Sequence, residues 1–307
     1  IEAAHAIPTR GNDMLMWLGS TRLMPDAWTF GVHYVQARSI ARSSFLVGET
    51  TTTGHVHYFP IAMAVKTPLT TIAVLLASLV WVVRTFERRR WLDQGWTIIA
   101  FVGPAAFLFA LAMSSALNLG VRHVFPVYPV IWLAIGLATA SMGVRHARAL
   151  CAIAAAGLGV EVARQAPDHI AFFNALAGGS SGGARVLSDS NLDWGQDLPL
   201  LARWQSENRD RTLYLSYFGL ADPRVYGIRY VNVAPGYAFG PPPVFPTPGE
   251  SAVVAVSITH MQGTYTGDIA LRDAWRRIWR QARPLAVLGG TIYLYEFPLR
   301  LETDKTP

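Results

Sequence analysis

Cysteine and charge are both scarce in this chain of 307 residues. The single Cys151 excludes an internal disulfide framework and any multi-cysteine zinc or iron–sulfur site. Charged residues make up 15%, against roughly 25% in soluble globular chains, which argues against an ordinary cytosolic enzyme and against a disordered chain. A phosphate-cradling glycine loop is missing too: the GGSSGG stretch at residues 178–183 precedes a predicted strand instead of opening a helix. No internal repeats are visible.

What is present is an uneven distribution of charge. Residues 1–165 hold 13 Lys/Arg and 7 Asp/Glu, while residues 166–307 hold 13 of each. The whole +6 excess therefore belongs to the first half. Nucleic-acid binding would call for a basic patch interleaved with aromatics. Here the arginines punctuate long apolar runs, so no nucleic-acid partner is expected and a lipid bilayer is.

A helix needs roughly 20 apolar residues to cross the hydrocarbon core. Residues 94–121 and 124–144 contain no charged side chain. Residues 68–83 extend backward through 61–65 past Lys66, which can snorkel from a helix end. Residues 149–160, rich in Ala and Gly and followed by Glu161, are ambiguous by themselves between a short span and a buried helix. The expectation is an α-helical polytopic membrane region of about four transmembrane helices, near 61–83, 95–117, 124–144 and 148–164, followed by a small extracytoplasmic α/β domain. Arg84, Arg88, Arg89 and Arg90 follow the first span, and Arg145 and Arg148 follow the third. The positive-inside rule puts both clusters in the cytoplasm. Residues 1–60 then form an extracytoplasmic loop and interfacial segment, 61–165 the membrane region, and 166–307 the outer domain. With no initiator Met or signal peptide at Ile1, something upstream is expected to carry residues 1–60 across, as in the C-terminal part of a longer polytopic protein.

After Pro167 the texture changes. Residues 184–189, 212–218, 251–259 and 291–297 read as strands. Residues 198–207 read as a helix with Asp197 as N-cap and Pro199 in the first turn, and 268–283 as an amphipathic helix stopped by Pro284. Residues 235–248, rich in Pro, read as a loop. Strands alternating with helices imply an α/β domain.

The densest polar cluster, SDSNLDWGQD at residues 188–197, sits between a predicted strand and a predicted helix, where α/β sheets bind ligands. Asp189, Asn191 and Asp193 match the start of a calcium loop. However, Trp194 and Leu200 replace the Gly and Glu that such a loop needs at its sixth and twelfth positions. A turn whose Asp and Asn side chains bond their own backbone accounts for the cluster as well as a site does. As a site, Trp194 amid acceptors suits a sugar. Arg122 and His123 lie in a short outer turn with Lys66 at the same level. These cations could hold a lipid phosphate or could serve only as interfacial anchors. His55 and His57 lack a third ligand and read as an interfacial aromatic patch. Arg272, Arg276, Arg277, Arg280 and Arg283 form the solvated face of the last helix, and Cys151 is a small apolar residue in a span.

Together, PDHIAFFNALAGG at residues 167–179 and SDSNLDWGQDLPLLARW at 188–204 resemble the C-terminal region of lipid-carrier-dependent membrane glycosyltransferases. These are the glycosyltransferase 39 group of the GT-C class, related to protein O-mannosyltransferases and aminoarabinose transferases. HYFPIAMAVKTPL at 57–69, VRHVFPVYP at 121–129, LSYFGLADPRVYGI at 215–228 and VAVSITHMQGTY at 254–265 match in the same order, so the likeness covers most of residues 45–300.

The resemblance implies a multi-pass enzyme of the bacterial inner membrane. It would move a sugar from a polyprenyl-phosphate-linked donor to a glycan, lipid or protein acceptor at the outer face. The family's acidic catalytic residue lies in an outer loop upstream of this chain, so none is assigned here. Arg122, His123 and Lys66 become lipid-phosphate contacts; the resemblance gives the polar loop no defined role, and Asp189, Asn191, Asp193, Trp194 and Gln196 are taken as sugar or acceptor contacts on the reading of the loop itself. No cofactor or metal site is identified, with a divalent metal left open. The alternative is a non-catalytic, membrane-anchored ligand-binding or scaffold protein with an outer α/β domain.

Overall fold

The computed structural model describes residues 10–39, 42–85, 95–247 and 250–298. Arg88, Arg89, Arg90, Pro248 and Gly249 lie outside them. The first part is helical and the second is a sheet domain.

Helices α1 (Arg10–Ser20) and α2 (Asp26–Ser39) form a hairpin, followed by the short strands β1 (Ser44–Leu46) and β2 (Glu49–Thr51), which pair antiparallel. The stretch expected as one span near 61–83 is instead two helices, α3 (Tyr58–Lys66) and α4 (Leu69–Arg84), bent by 105°. Pro68 causes this break. It lacks an N–H, and its ring drives Thr67 into extended backbone at ψ 133°.

Helix α5 (Gly95–Ser114) falls on the stretch expected as the second span, and α7 (Val144–Gln165) on that of the fourth, beginning earlier than expected. Helix α6 (Val127–Ala140) has 14 residues, about 21 Å at 1.5 Å per residue, which is shorter than the hydrocarbon core. By length and apolarity, α5 and α7 can cross a membrane, and the bent α3–α4 pair makes a third if it acts as one span.

Helix α4 packs on α6 and α7, and α5 packs on α6. The ends of the helices sort into two groups. At one end, Trp81 Nε1 donates to Ser141 Oγ at 3.1 Å and its ring lies 6.0 Å from His146. At the other end, Lys66 and Val121 both donate to Asn191, on the loop that leads into the sheet domain. Glu161 closes α7 onto α4: its carboxylate accepts the Leu69 and Thr70 N–H groups at 2.8 and 3.3 Å. Those are orphan donors of the α4 N-terminus, where negative charge is favoured. The outward faces carry Leu76, Leu79, Trp96, Phe107, Leu111 and Ile153 more than half exposed, an apolar surface unusual for a protein solvated only by water.

The sheet domain has strand order β4-β3-β5-β7-β6. Strands β3 (Thr212–Ser216), β4 (Val231–Asn232) and β5 (Ala252–Ser257) are parallel, while β6 (Ala286–Leu288) and β7 (Ile292–Phe297) run antiparallel. Every residue of β5 is buried, as its near-continuous apolar run requires of a central strand.

Alternate β5 residues serve two cores. Val253 and Ala255 pack with Leu198 and Leu201 of α9 (Leu198–Glu207), which follows the one-turn helix α8 (Gly179–Gly183). Val254 and Val256 pack with Trp275 of α11 (Ile269–Gln281), which follows the short α10 (Ile258–Met261), and with Tyr58 and Phe59 of α3. One core therefore runs from the helical region into the sheet domain.

Three expectations need correction. Residues 184–189 are no strand. Ala184 and Leu187 are buried in a turn whose carbonyls accept from Gln262 Nε2 at 2.5 and 2.9 Å, so a side chain replaces the missing neighbouring strand. The 178–183 stretch, expected to lead into that strand, contains α8. Asp197 occupies the N-cap position of α9 but makes no cap bond; it accepts from Thr291 Oγ1 at 2.5 Å.

Candidate functional site

The loop at residues 188–197 folds by bonding to itself. Asp189 takes a left-handed backbone (φ +56°), which Asp tolerates better than most residues, and opens a one-turn helix to Asn191. Its carbonyl accepts the Leu192 and Asp193 N–H groups at 2.8 and 2.9 Å. Gly195 has φ +72° with the Tyr217 ring packed against it, leaving no space for a Cβ.

Asp193 is fully buried. One carboxylate oxygen accepts the Gly195 N–H at 2.9 Å and the other accepts the Thr259 hydroxyl at 3.3 Å. Burial pushes its pKa up to about 7, with nearby Asp197 adding to the rise. Gln196 accepts the Trp194 N–H at 2.8 Å and donates to the Leu192 carbonyl at 3.1 Å.

Asn191 points away from solvent, toward the helices. It accepts the Val121 N–H at 3.0 Å and donates to Tyr58 Oη at 2.7 Å and the Ser188 carbonyl at 3.1 Å. Of the five residues expected to contact a sugar or acceptor, Asn191, Asp193 and Gln196 hold the loop together. Trp194, 45% exposed, presents a free surface, and Asp189 turns toward the cations.

Those cations come from separate segments. Arg122 and His123 lie on a one-turn helix (Val121–Val124) fixed by Asn191. The exposed Arg122 guanidinium lies 5.1 Å from the Trp194 ring centre and makes no hydrogen bond or ion pair with another described residue. His123 Nε2 is buried without a partner among the described residues, and its ring meets Phe59 edge-on at 6.4 Å. Burial first, then the charges of Arg122 and Arg42, hold its pKa below the ordinary value, favouring the neutral imidazole.

Lys66 takes a different position from the one expected. Its ammonium donates to the carbonyls of Ile170, Phe172 and Asn191 at 3.0, 2.6 and 2.6 Å and rests on Phe173 at 4.4 Å. All three N–H groups are engaged. Lys66 thus ties the α3 end to the sheet domain, and these bonds occupy the donors that a phosphate contact would use.

Arg42, just before β1, was missed by sequence reasoning. Its guanidinium lies 4.0 Å from Asp189 Oδ2 and 3.4 Å from Tyr265 Oη, and packs over the Tyr265 ring at 5.7 Å. Its Nε is buried without a partner among the described residues. No local signal marks it, because the grouping depends on contacts across more than 140 residues of chain. Tyr265 donates a short hydrogen bond to Asp189 and stacks on Phe218 at 5.6 Å. Burial raises the Asp189 pKa, opposed by Tyr265, Arg42, the Ser190 N–H and Arg122 in that order.

Beside this cluster, an open, mainly apolar pocket of about 210 Å³ is lined by Phe59, Leu108, Leu111, Leu117 and His123. His55 donates its backbone N–H to Asn118 Oδ1 at 2.6 Å. Among the described residues, no group of three or more His, Cys, Asp or Glu side chains is placed to hold a metal.

The arrangement can attract an anion, with underused donors on Arg42 and Arg122, next to an exposed indole and an apolar pocket. No protein-family model, curated protein or solved structure matches this chain.

Proposed function

We propose that this chain belongs to an integral-membrane glycosyltransferase that moves a sugar from a polyprenyl-phosphate-linked donor to an acceptor at the outer face of a bacterial inner membrane. The observation that carries this reading is the grouping of Arg122, Arg42 and His123, with hydrogen-bonding capacity to spare, between Trp194 and the apolar pocket. A polyprenyl-linked sugar has a matching sequence of parts: an apolar tail, a phosphate and a sugar ring that stacks on an aromatic face.

Transfer breaks the bond between the anomeric carbon and the phosphate oxygen and leaves the electron pair on the phosphate. It forms a bond from the acceptor oxygen to that carbon, and the acceptor's proton passes to the phosphate or to water. Guanidinium groups stabilise the charge that develops on the departing phosphate. In this reading Arg84, Arg145 and Arg148 mark the cytoplasmic ends of the helices, and the sheet domain lies at the opposite, outer end.

The test uses the full chain in phosphatidylcholine nanodiscs, with binding of a polyprenyl phosphate measured for Arg122→Ala. Losing a charge-assisted contact should weaken binding about tenfold or more; unchanged affinity removes the phosphate assignment. A membrane-anchored binding protein without chemistry is the second reading. The internal bonding of Asp193 and Asn191 favours it, since neither is free to act on an acceptor. It predicts lipid binding without sugar transfer.

A further inference from the structure

Resting on the phosphate reading above, we propose that Asp189 is a built-in counter-ion that sets the charge of the Arg42–Arg122 site. It would tune the site to a singly charged phosphodiester and against a doubly charged phosphomonoester. The polyprenyl-linked sugar is such a diester, and the polyprenyl phosphate left after transfer is such a monoester. Asp189 then speeds product release.

The geometry of Asp189 fits a charge held in reserve. Its left-handed backbone turns the carboxylate inward, where 8% of the residue remains exposed. Its contact with Arg42, at 4.0 Å, is an ion pair longer than a hydrogen bond, unlike the shorter bidentate fork of a finished arginine–carboxylate pair. Among the described residues, Arg42 Nε has no partner and the Arg122 guanidinium makes no hydrogen bond. Both arginines can turn to a ligand without first breaking a strong bond.

Tyr265 allows this. Its hydroxyl stays on Asp189, and its ring packs against both Phe218 and Arg42. The carboxylate therefore keeps a donor when Arg42 moves to a phosphate.

Two guanidiniums and one carboxylate leave +1, with His123 neutral. A phosphodiester brings −1 and balances the site. A phosphomonoester, with its second pKa near 6, brings close to −2 at neutral pH and leaves an excess negative charge. Replacing Asp189 with Asn keeps the shape and the left-handed backbone, which Asn adopts readily, but raises the site to +2.

Affinities of a polyprenyl phosphate and of its methyl diester, measured at pH 7.5 in phosphatidylcholine nanodiscs with the full chain, test the proposal. Asp189→Asn should tighten the monoester roughly tenfold more than the diester. Arg42→Gln, which lowers the count to zero, should shift the ratio the opposite way and provides the readout if Asp189→Asn does not fold. Tyr265→Phe, which leaves the count alone, should leave the ratio unchanged even where both lipids bind less well.

Equal effects of Asp189→Asn on the two lipids overturn the proposal, as does a ratio that Arg42→Gln leaves unmoved. Failure of the underlying phosphate reading looks different: Arg122→Ala then weakens neither lipid. If Arg122→Ala weakens both while the charge variants leave the ratio fixed, only the counter-ion role is lost.

Discussion

Replacing Asp193 with Asn tests whether the sheet domain buries a carboxyl group at a cost that depends on pH. Asp193 has no exposed surface and is held by the Gly195 N–H and the Thr259 hydroxyl. Burial raises its pKa from the ordinary 3.8 to about 7. A carboxyl group with a raised pKa holds its proton in the folded chain at pH values where the unfolded chain has released it. Stability therefore falls as pH rises between about 4 and 7, and above 7 the full cost of the buried charge is present.

At 1.36 kcal/mol per pH unit, the gap amounts to on the order of 4 kcal/mol. Asn is nearly isosteric. Its oxygen can accept from Gly195 and its amide can donate to the Thr259 hydroxyl, so both contacts survive without a titrating proton. The assay is thermal unfolding of the full chain in detergent, followed by tryptophan fluorescence from pH 5 to pH 8, for the native chain and Asp193→Asn. The advantage of the variant should grow by about 3 kcal/mol over that range, with every other titrating group common to both proteins. A difference that stays constant with pH, or shrinks as pH rises, refutes the reasoning.

Further substitutions separate ties from contacts. Lys66→Met removes three hydrogen bonds to carbonyls and should lower stability by about 3 kcal/mol while leaving affinity for a polyprenyl phosphate unchanged. A loss of affinity at intact stability would make Lys66 a ligand contact after all. Asn191→Leu strands the Val121 N–H and the Tyr58 hydroxyl, so chemical denaturation should show a loss of about 2–4 kcal/mol. Trp275→Ala empties a buried position and removes the 3.0 Å bond to the Ala234 carbonyl. It should cost about 3–5 kcal/mol, whereas Trp275→Phe retains most of the packing and should cost clearly less in the same assay.

Several elements were legible because their signals are local. Residues 198–207 form a helix with its proline in the first turn, where a missing N–H matters little. The all-apolar 252–257 stretch is the central strand, since a strand covered on both faces has no polar side to show. The helix after Asp268 begins where that side chain accepts the Leu271 N–H at 3.1 Å. Residues 184–189 misled the strand reading because β-like composition forms a strand only where a partner edge exists, and here Gln262 satisfies the carbonyls. The break at Pro68 was readable from the proline rule, but the apolar run around it suggested continuity.

Within the candidate site, residue type and spacing brought attention to Arg122, Trp194 and Asp189. They did not distinguish a loop that binds a ligand from one that binds itself. Lys66 looked like a free cation because its three carbonyl partners lie more than 100 residues away. Arg42 carried no local signal, and Tyr265 only its place at the end of the 254–265 stretch, until folding set them against Asp189.

Hydrophobic periodicity and charge placement act over a few neighbouring residues, so a helical, apolar first part and a charge-balanced sheet domain can be read from the chain directly. Which polar groups still have hydrogen bonds to offer is settled by the packed fold. Whether a donor or acceptor is already occupied depends on partners that the chain brings in from far away.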